Sequence, residues 1–148
     1  MVRVHGTCID LGAAAVLLRG PSGSGKSDLA LRLIDDETGN GGARLVSDDQ
    51  VELTARDGAV WASAPDAIAG LMEVRGVGVV RVPCVETARL GLVVDLVAPR
   101  EVARMPEAQT CSYEGVSLPL MQLSPFEISA TAKLRLVVRA AEGDIIRV

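Results

Sequence analysis

Apolar and polar positions at the start of the chain follow first a strand period and then a helix period. Val2–Asp10 alternates enough to predict a strand, and Asp10-Leu11-Gly12 predicts a tight turn into a second strand over Ala13–Arg19. Ser27–Asp36 predicts a helix with leucine and isoleucine side chains available for a sheet, and residues 38–42 end it as a glycine-rich loop. We therefore expect a hairpin followed by a helix at this end of the chain.

The middle of the chain predicts further strands. Ala43–Ser47 is predicted as a second buried strand, next to the strand before the helix and parallel to it across a right-handed crossover. Val51–Thr54 and Ala59–Ala62 predict the arms of a hairpin, because Asp57-Gly58 between them is a strong turn signal. Leu90–Val97 is almost continuous in Leu and Val, which is typical of a buried strand. This alternation of strands with a helix predicts an α/β fold.

The last third of the chain is more polar. Residues 99–123 are broken by prolines and predict a loop-rich stretch with a short helix over Arg100–Met105. Ser124-Pro125-Phe126-Glu127 combines an N-cap, a proline at the first helical position and a capping-box glutamate. The pattern predicts a helix from there to about Ala141, with a buried face made of Ile128, Ala132, Leu136 and Val137.

Composition narrows the class of protein. The 148 residues are 49% hydrophobic, enough for one domain over residues 1–148, and the 2% aromatic content leaves Val, Leu, Ile and Ala to form its core. The net charge of −4 argues against a nucleic-acid-binding surface. No apolar stretch approaches the ~18–20 residues that span a bilayer, so no membrane association is expected. The odd number of cysteines predicts reduced, mostly buried thiols in a cytoplasmic protein.

The segment GPSGSGKS at 20–27 is a complete G-x-x-x-x-G-K-[ST] motif between a predicted buried strand and a helix start. Its glycines let the backbone N–H groups approach a phosphate. Lys26 can reach the β/γ-phosphates, and Ser27 can place its hydroxyl on Mg²⁺. The alternative is a glycine-rich turn before a helix. The full motif predicts binding of a nucleoside triphosphate, or a similar polyphosphate, through Gly20, Pro21, Ser22, Gly23, Ser24, Gly25, Lys26 and Ser27.

Two adjacent carboxylates, Asp48 and Asp49, follow the predicted strand beside this loop. Ligands of parallel α/β sheets collect at the carboxyl ends of the strands, so we expect both side chains near the γ-phosphate. One could hold Mg²⁺ and the other could accept a proton from an attacking hydroxyl. The alternative is an Asx-type turn after a strand.

His5 and Glu73 are further candidates. A first hairpin centred near Leu11 would put His5 opposite about residue 17 and within roughly 10 Å of the phosphate loop, where it could bond to an aspartate. The alternative is a packed or surface histidine. Glu73 and Arg75 would share one face of an extended segment, with Glu suited to a metal and Arg to phosphate oxygens. A solvated strand pair is an equally open interpretation.

Together these segments resemble HPr kinase/phosphorylase in its C-terminal catalytic domain. The resemblance rests on His5-Gly6, the loop at 20–27, RLVSDDQVEL at 44–53 and LMEVRGVGVVRV at 71–82, and it covers roughly residues 3–97. It implies the phosphate-loop fold shared with phosphoenolpyruvate carboxykinase, a mixed sheet with flanking helices, assembled as a homohexamer. It also implies an ATP- and Mg²⁺-dependent kinase acting on a serine of an HPr-like phosphocarrier protein of a phosphotransferase system, and the reverse phosphorolysis.

The resemblance also implies roles for individual residues. Asp48 would be the general base with Lys26 and His5 as its catalytic partners, and Ser27, Glu73 and Asp49 would serve the metal. Several departures stand out: the N-terminal domain of longer members is expected to be absent, and their arginine-rich C-terminal stretch is hard to find in LSPFEISATAKLRL at 123–136. Such short forms resemble those of alphaproteobacteria.

Two other hypotheses stay open at the level of sequence. One is a small-molecule kinase that uses the same loop, which would need a closed pocket with more Arg or Lys. The other is a nucleotide-binding regulatory module without turnover. The Asp48-Asp49 pair speaks against that module, because binding alone needs no base.

Overall fold

The computed structural model describes residues 1–36, 42–141 and 143–147, which form a curled mixed sheet of nine strands, a separate two-stranded hairpin and two α-helices. The strands are β1 Val2–His5, β2 Thr7–Asp10, β3 Ala15–Arg19, β4 Arg44–Ser47, β5 Gln50–Arg56, β6 Ala59–Ser63, β7 Leu71–Val74, β8 Gly78–Arg81, β9 Thr87–Leu96, β10 Gln109–Tyr113 and β11 Val116–Leu123. The helices are α1 Lys26–Asp35 and α2 Ala130–Arg139. Short 3-10 turns lie at Asp66–Ile68 and Pro99–Glu101.

The long strand β9 is the centre of the sheet, whose order is β1-β5-β6-β9-β3-β2-β4. One edge of β9 pairs in parallel with β3. The opposite edge is shared, because β6 pairs antiparallel with its first residues and β11 pairs in parallel with its last. β7 and β8 pair only with each other among the described strands. The expected α/β fold with a mixed sheet and flanking helices is confirmed.

The curl of the sheet creates two apolar cores. The first lies between the sheet and the helices, where α1 buries Leu29 and Leu33 and α2 buries Leu134. The second is enclosed by the curled sheet itself, around Leu17 and Val93. Aliphatic side chains fill both cores, as expected from a chain so poor in aromatic residues.

The predicted first hairpin is confirmed, but its register and length differ from expectation. The Leu11 N–H donates to the Ala14 carbonyl oxygen, so the turn spans residues 11–14 instead of being centred on Leu11. As a result, Cys8 of β2 lies opposite Leu17 of β3. The single predicted strand 2–10 is broken at Gly6, where the chain leaves β3. His5 therefore lies opposite Gln50 of β5, and its predicted place opposite residue 17 is wrong.

The predicted parallel strand 43–47 exists as β4 but is not a direct neighbour of β3. β2 lies between them and runs antiparallel to both, so β3 and β4 point the same way without touching as partners. Residues 38–41 of the predicted loop 38–42 lie outside the residues that the structure describes. The predicted hairpin at 51–62 is confirmed, and Asp57 and Gly58 form its two-residue turn with φ values of 53° and 76°.

The C-terminal third departs most from the sequence prediction. The stretch predicted as loop holds the β10–β11 hairpin, whose turn puts Glu114 at a φ of 51°. The helix predicted from Ser124 begins only at Ala130, and Ser129 caps it without a side-chain bond. Its predicted buried face is wrong for Ile128, Ala132 and Leu136, which are exposed, whereas Val137 packs against the core. Ala130 and Leu134 are the buried residues of the helix.

Composition predicted that no segment spans a membrane and that the cysteine thiols are mostly buried. Within the described ranges, no helix is both long and apolar enough to cross a membrane. The three thiols are free, but only Cys8 is buried, so the expectation of mostly buried thiols is wrong for the exposed Cys84. Burial raises the pKa of the Cys8 thiol, and Asp10 adds to that rise.

Gly6 is the bend that separates β1 from β2, and we expect Gly6→Ala to lower the free energy of unfolding by about 1–3 kcal/mol. A Cβ there would stand 2.8 Å from the Leu18 carbonyl oxygen and 3.0 Å from Leu17 Cδ1. Urea unfolding measures the loss. Gly115→Ala is the matched comparison, because φ is 80° there and no described atom lies within 4 Å, so its cost is conformational only. A Gly6→Ala protein as stable as the parent would contradict the close contact.

Candidate active site

The polar groups of the site converge where three strands meet at one edge of the sheet. β3 ends at Arg19 and β4 ends at Ser47, and β2 starts at Thr7 between them. Because β2 runs antiparallel to both neighbours, its first residue lies beside their last ones. The phosphate loop leaves β3 at this edge, and Asp48 leaves β4 at the same edge.

An ion pair fixes the strand that leads into the loop. Arg19 donates two hydrogen bonds to Asp95 of β9, at 2.7 and 2.9 Å, and a third to the Tyr113 hydroxyl at 3.0 Å. The hydrogen bonds to Asp95 raise the pKa of the guanidinium above its ordinary value. This bidentate arrangement holds the end of β3 against β9 directly before Gly20.

The loop between β3 and α1 has the tight backbone that the motif predicts. A Cβ on Gly20 would lie 2.5 Å from Ser24 Oγ and 3.0 Å from Ser24 Cβ, so a side chain there would displace Ser24 from the loop. Gly25 has a φ of 100° and is the N-cap of α1, where it offers no side chain to the first N–H groups of the helix. Ser24 Oγ is buried and has no hydrogen-bond partner among the described residues. These donors suit an anion, which the positive end of the helix also favours.

Lys26 is folded back onto its own loop. Its ammonium donates to the carbonyl oxygens of Gly20 at 2.6 Å and Pro21 at 2.9 Å, and only 7% of the residue is exposed. Burial lowers the pKa of Lys26 below its ordinary 10.5, while the charges of Asp49 and Asp48 oppose that shift. The lysine ammonium is therefore held on the phosphate loop, close enough to the aspartate pair for their charges to affect its pKa.

Asp48 is the most connected side chain of the site. It is 8% exposed, and its Oδ1 accepts hydrogen bonds from the hydroxyls of Thr7 and Ser27, each at 2.9 Å. Its Oδ2 accepts a longer bond of 3.3 Å from the Glu73 backbone N–H. Asp48 is thus bonded directly to the serine of the phosphate loop. The sequence had predicted only that Asp48 lies near this loop.

Asp49 adopts an uncommon backbone conformation. Its φ is 71°, and the Gln50 N–H donates to the Asp48 carbonyl oxygen at 2.9 Å across it, which defines a strained left-handed γ-turn. The Gly6 N–H donates to the Asp49 carbonyl oxygen at 2.9 Å. His5 Nδ1 lies 3.4 Å from Asp49 Oδ1 and both side chains are exposed, so the histidine contacts this aspartate rather than Asp48.

The oxygen atoms of Ser27 and Asp48 form the part of the site that suits Mg²⁺. This hard cation takes one or two protein oxygens together with substrate phosphates and keeps several waters. Among the residues that the structure describes, no three His, Cys, Asp or Glu side chains come together as a metal cluster. Glu73 contributes its backbone N–H while its side chain is exposed, and Asp49 turns toward His5, so their metal role stays a prediction.

Thr7 is the site residue that sequence analysis missed. It is fully buried at the start of β2, and its hydroxyl is one of the three donors to Asp48. The available signal was a hydroxyl residue within the apolar stretch that follows His5-Gly6. That signal is weak, because buried threonines are common in strands.

Comparison with known proteins gives the family of this chain. The model of the HPr serine kinase C-terminal domain matches residues 1–141. The chain belongs to this family. An HPr(Ser) kinase/phosphatase from Coxiella burnetii has the same fold, with a TM-score of 0.80 at 24% identity over 94% of this chain and 95% of that one.

Curated relatives of the HPr serine kinase family are similar over part of the chain. The HPr kinase/phosphorylase of Clostridium botulinum (strain Eklund 17B / Type B) is 40% identical over 80 residues, which is 54% of this chain and 25% of that protein. The one from Geobacillus sp. (strain WCH70) is 40% identical over 101 residues, 63% of this chain and 31% of that protein. The matched region therefore spans about a quarter to a third of these relatives.

The strained turn at Asp49 makes a stability prediction. The free energy of unfolding should be about 1 kcal/mol higher for Asp49→Gly than for Asp49→Ala. Glycine adopts a positive φ without steric cost, whereas alanine does not. Both variants lose the exposed contact with His5, which contributes little, so their difference isolates the backbone. Parallel urea titrations would measure it, and equal stability of the two variants would count against the strained turn.

Proposed function

We propose that this chain is an ATP-dependent protein-serine kinase that phosphorylates an HPr-like phosphocarrier protein of a phosphotransferase system. The observation that carries the proposal is the contact between Asp48 and Ser27, because it places a buried carboxylate on the serine of the phosphate loop. A site that only bound nucleotide would need the loop and a magnesium ligand but no general base. Membership of the HPr serine kinase family supports the choice of substrate.

The hydrogen bonds of Asp48 suit it to act as a general base. Both lone-pair directions of Oδ1 are taken by Thr7 and Ser27, whereas Oδ2 holds a single long bond from Glu73. Oδ2 therefore has the capacity to accept the proton of a seryl hydroxyl as that oxygen attacks the terminal phosphorus. Mg²⁺, held on the Ser27 side, would neutralise charge on the phosphate oxygens.

Lys26 and the loop act on the phosphate end of the same reaction. The ammonium and the N–H groups at the start of α1 hold the transferred group in line between the attacking and leaving oxygens. In the reverse direction, inorganic phosphate attacks the seryl-phosphate phosphorus, the bond to the serine oxygen breaks and pyrophosphate forms. Protonated Asp48 then returns its proton to the leaving serine oxygen, by microscopic reversibility.

His5 and Asp49 flank this centre on the exposed side. Their contact places an imidazole next to the strained turn that carries Asp48. We propose that His5 supports the aspartate pair through Asp49. We further propose one catalytic domain over residues 1–148, a cytoplasmic location and a homohexamer, which family membership supports. The net charge of −4 supports a protein partner rather than a nucleic acid.

The decisive test mixes the protein with Mg-ATP and a candidate HPr and weighs the HPr by intact mass spectrometry. We expect a gain of one phosphoryl group, and a rate lower by about 10²–10⁴-fold for Asp48→Asn, because the amide cannot accept the proton. The Asp48→Asn protein should still bind ATP in calorimetry. Asp49→Asn is the matched control, one residue away and outside the hydrogen bonds to Ser27, and its defect should be smaller. ATP binding without modification of any HPr would instead favour a regulatory module or a small-molecule kinase.

The burial of Lys26 predicts a pH dependence of ATP binding. A bound triphosphate favours the ammonium form, so affinity is full below the lowered pKa of Lys26 and falls as the pH rises through it. The fall should begin at a lower pH than for an exposed lysine, whose pKa is near 10.5. Calorimetry between pH 7.5 and 10 at constant salt and saturating Mg²⁺ measures this. Lys26→Gln should bind ATP weakly, and its affinity should not change with pH over this range. If the affinities of both proteins fell with pH in the same way, the titration would belong to another group.

A further inference from the structure

An exposed aromatic ring lies directly against the phosphate loop. A Cβ built on Gly25 would stand 3.0 Å from Cζ of Phe126 and 3.1 Å from Cγ of Pro125, so ring and loop are in contact across the glycine. Phe126 is nevertheless 70% exposed. The free face of the ring is therefore open to a ligand that is held by the adjacent phosphate loop, and covering it would remove apolar surface from water.

The ring is held in place by contacts of the backbone on either side of it. The Arg32 guanidinium of α1 donates to the Pro125 carbonyl oxygen and pairs with Asp28 at 3.1 Å. On the other side, the Glu127 carbonyl oxygen accepts from the Ala130 N–H at 3.1 Å, and its carboxylate pairs with Lys133 at 2.6 Å. Phe126 therefore sits on a segment that is fixed to both helices.

A cleft of about 530 Å³ opens beside the ring along α1. Its walls carry the carboxylates of Asp28, Asp36 and Glu127, and each is paired with a cation, Arg32, Arg135 and Lys133 respectively. The paired charges leave no net positive charge to attract phosphate, while the carboxylate oxygens can still accept from a neutral group that offers N–H donors. The phosphate loop on one side of the ring and this polar cleft on the other would thus suit the two ends of a nucleotide.

We propose that Phe126 is the stacking platform for the adenine base of the nucleotide whose phosphates the loop 20–27 holds. The base lies on the exposed face of the ring, with its amino group toward the carboxylate oxygens of the cleft. The inference rests on the proposed function, since it assigns the second end of the same ligand. It also predicts that the base contributes affinity that the phosphates alone do not supply.

The test compares ATP with inorganic tripolyphosphate by calorimetry, both with Mg²⁺. Phe126→Leu keeps an apolar contact with Gly25 but removes the ring, and should weaken ATP binding by about 5-fold or more while tripolyphosphate binding stays within 2-fold. Phe126→Trp should retain ATP affinity. Leu136→Ala, an exposed apolar residue of α2 outside the cleft, is the matched control and should bind both ligands like the parent.

Each other outcome has a distinct meaning. Equal losses for ATP and tripolyphosphate in Phe126→Leu would show that the ring only packs the loop, and would overturn the proposal. Unchanged ATP affinity in that variant, or equal affinity of the parent for both ligands, would also overturn it while leaving the phosphate site intact. A parent protein that binds neither ligand would remove the proposed function, and this inference with it.

Discussion

The hydrogen bonds to the Asp48 carboxylate hold the site together. They come from three separate elements: Thr7 at the start of β2, Ser27 in the first turn of α1 and the Glu73 backbone at the β7–β8 hairpin. A buried carboxylate left without such donors would cost several kcal/mol, so these elements are constrained to meet at one point. The position of the phosphate loop relative to Asp48 is therefore set by the same hydrogen bonds that satisfy the buried charge.

The sequence predicted well wherever the signal was local. The phosphate loop and the turn at Asp57-Gly58 depend on backbone conformations that specific residues permit within a few positions, and both are present. Asp48 could be placed near the loop because strand ends collect at one edge of a sheet. That argument succeeded although β4 is not the direct neighbour of β3, since β2 between them leaves both pointing the same way.

The failures lie where pairing between distant segments decides the structure. Gly6 ends one pairing and starts another because β5, more than 40 residues later, offers a second partner, and no local pattern shows this. The β10–β11 hairpin turns on Glu114-Gly115, in which glutamate adopts a φ that it rarely takes. Ser124-Pro125 has the composition of a helix start, yet the Arg32 contact to the Pro125 carbonyl oxygen holds this segment on α1 and delays the helix to Ala130.

The contacts of Lys26 with the carbonyl oxygens of Gly20 and Pro21 orient its ammonium before any phosphate binds. They occupy two of the three N–H donors of the ammonium, so one donor stays available for a phosphate oxygen. A lysine that is already held in this way loses little further side-chain entropy on binding. The loop thus presents a preorganised positive charge, which favours association with a polyphosphate at a low ordering cost.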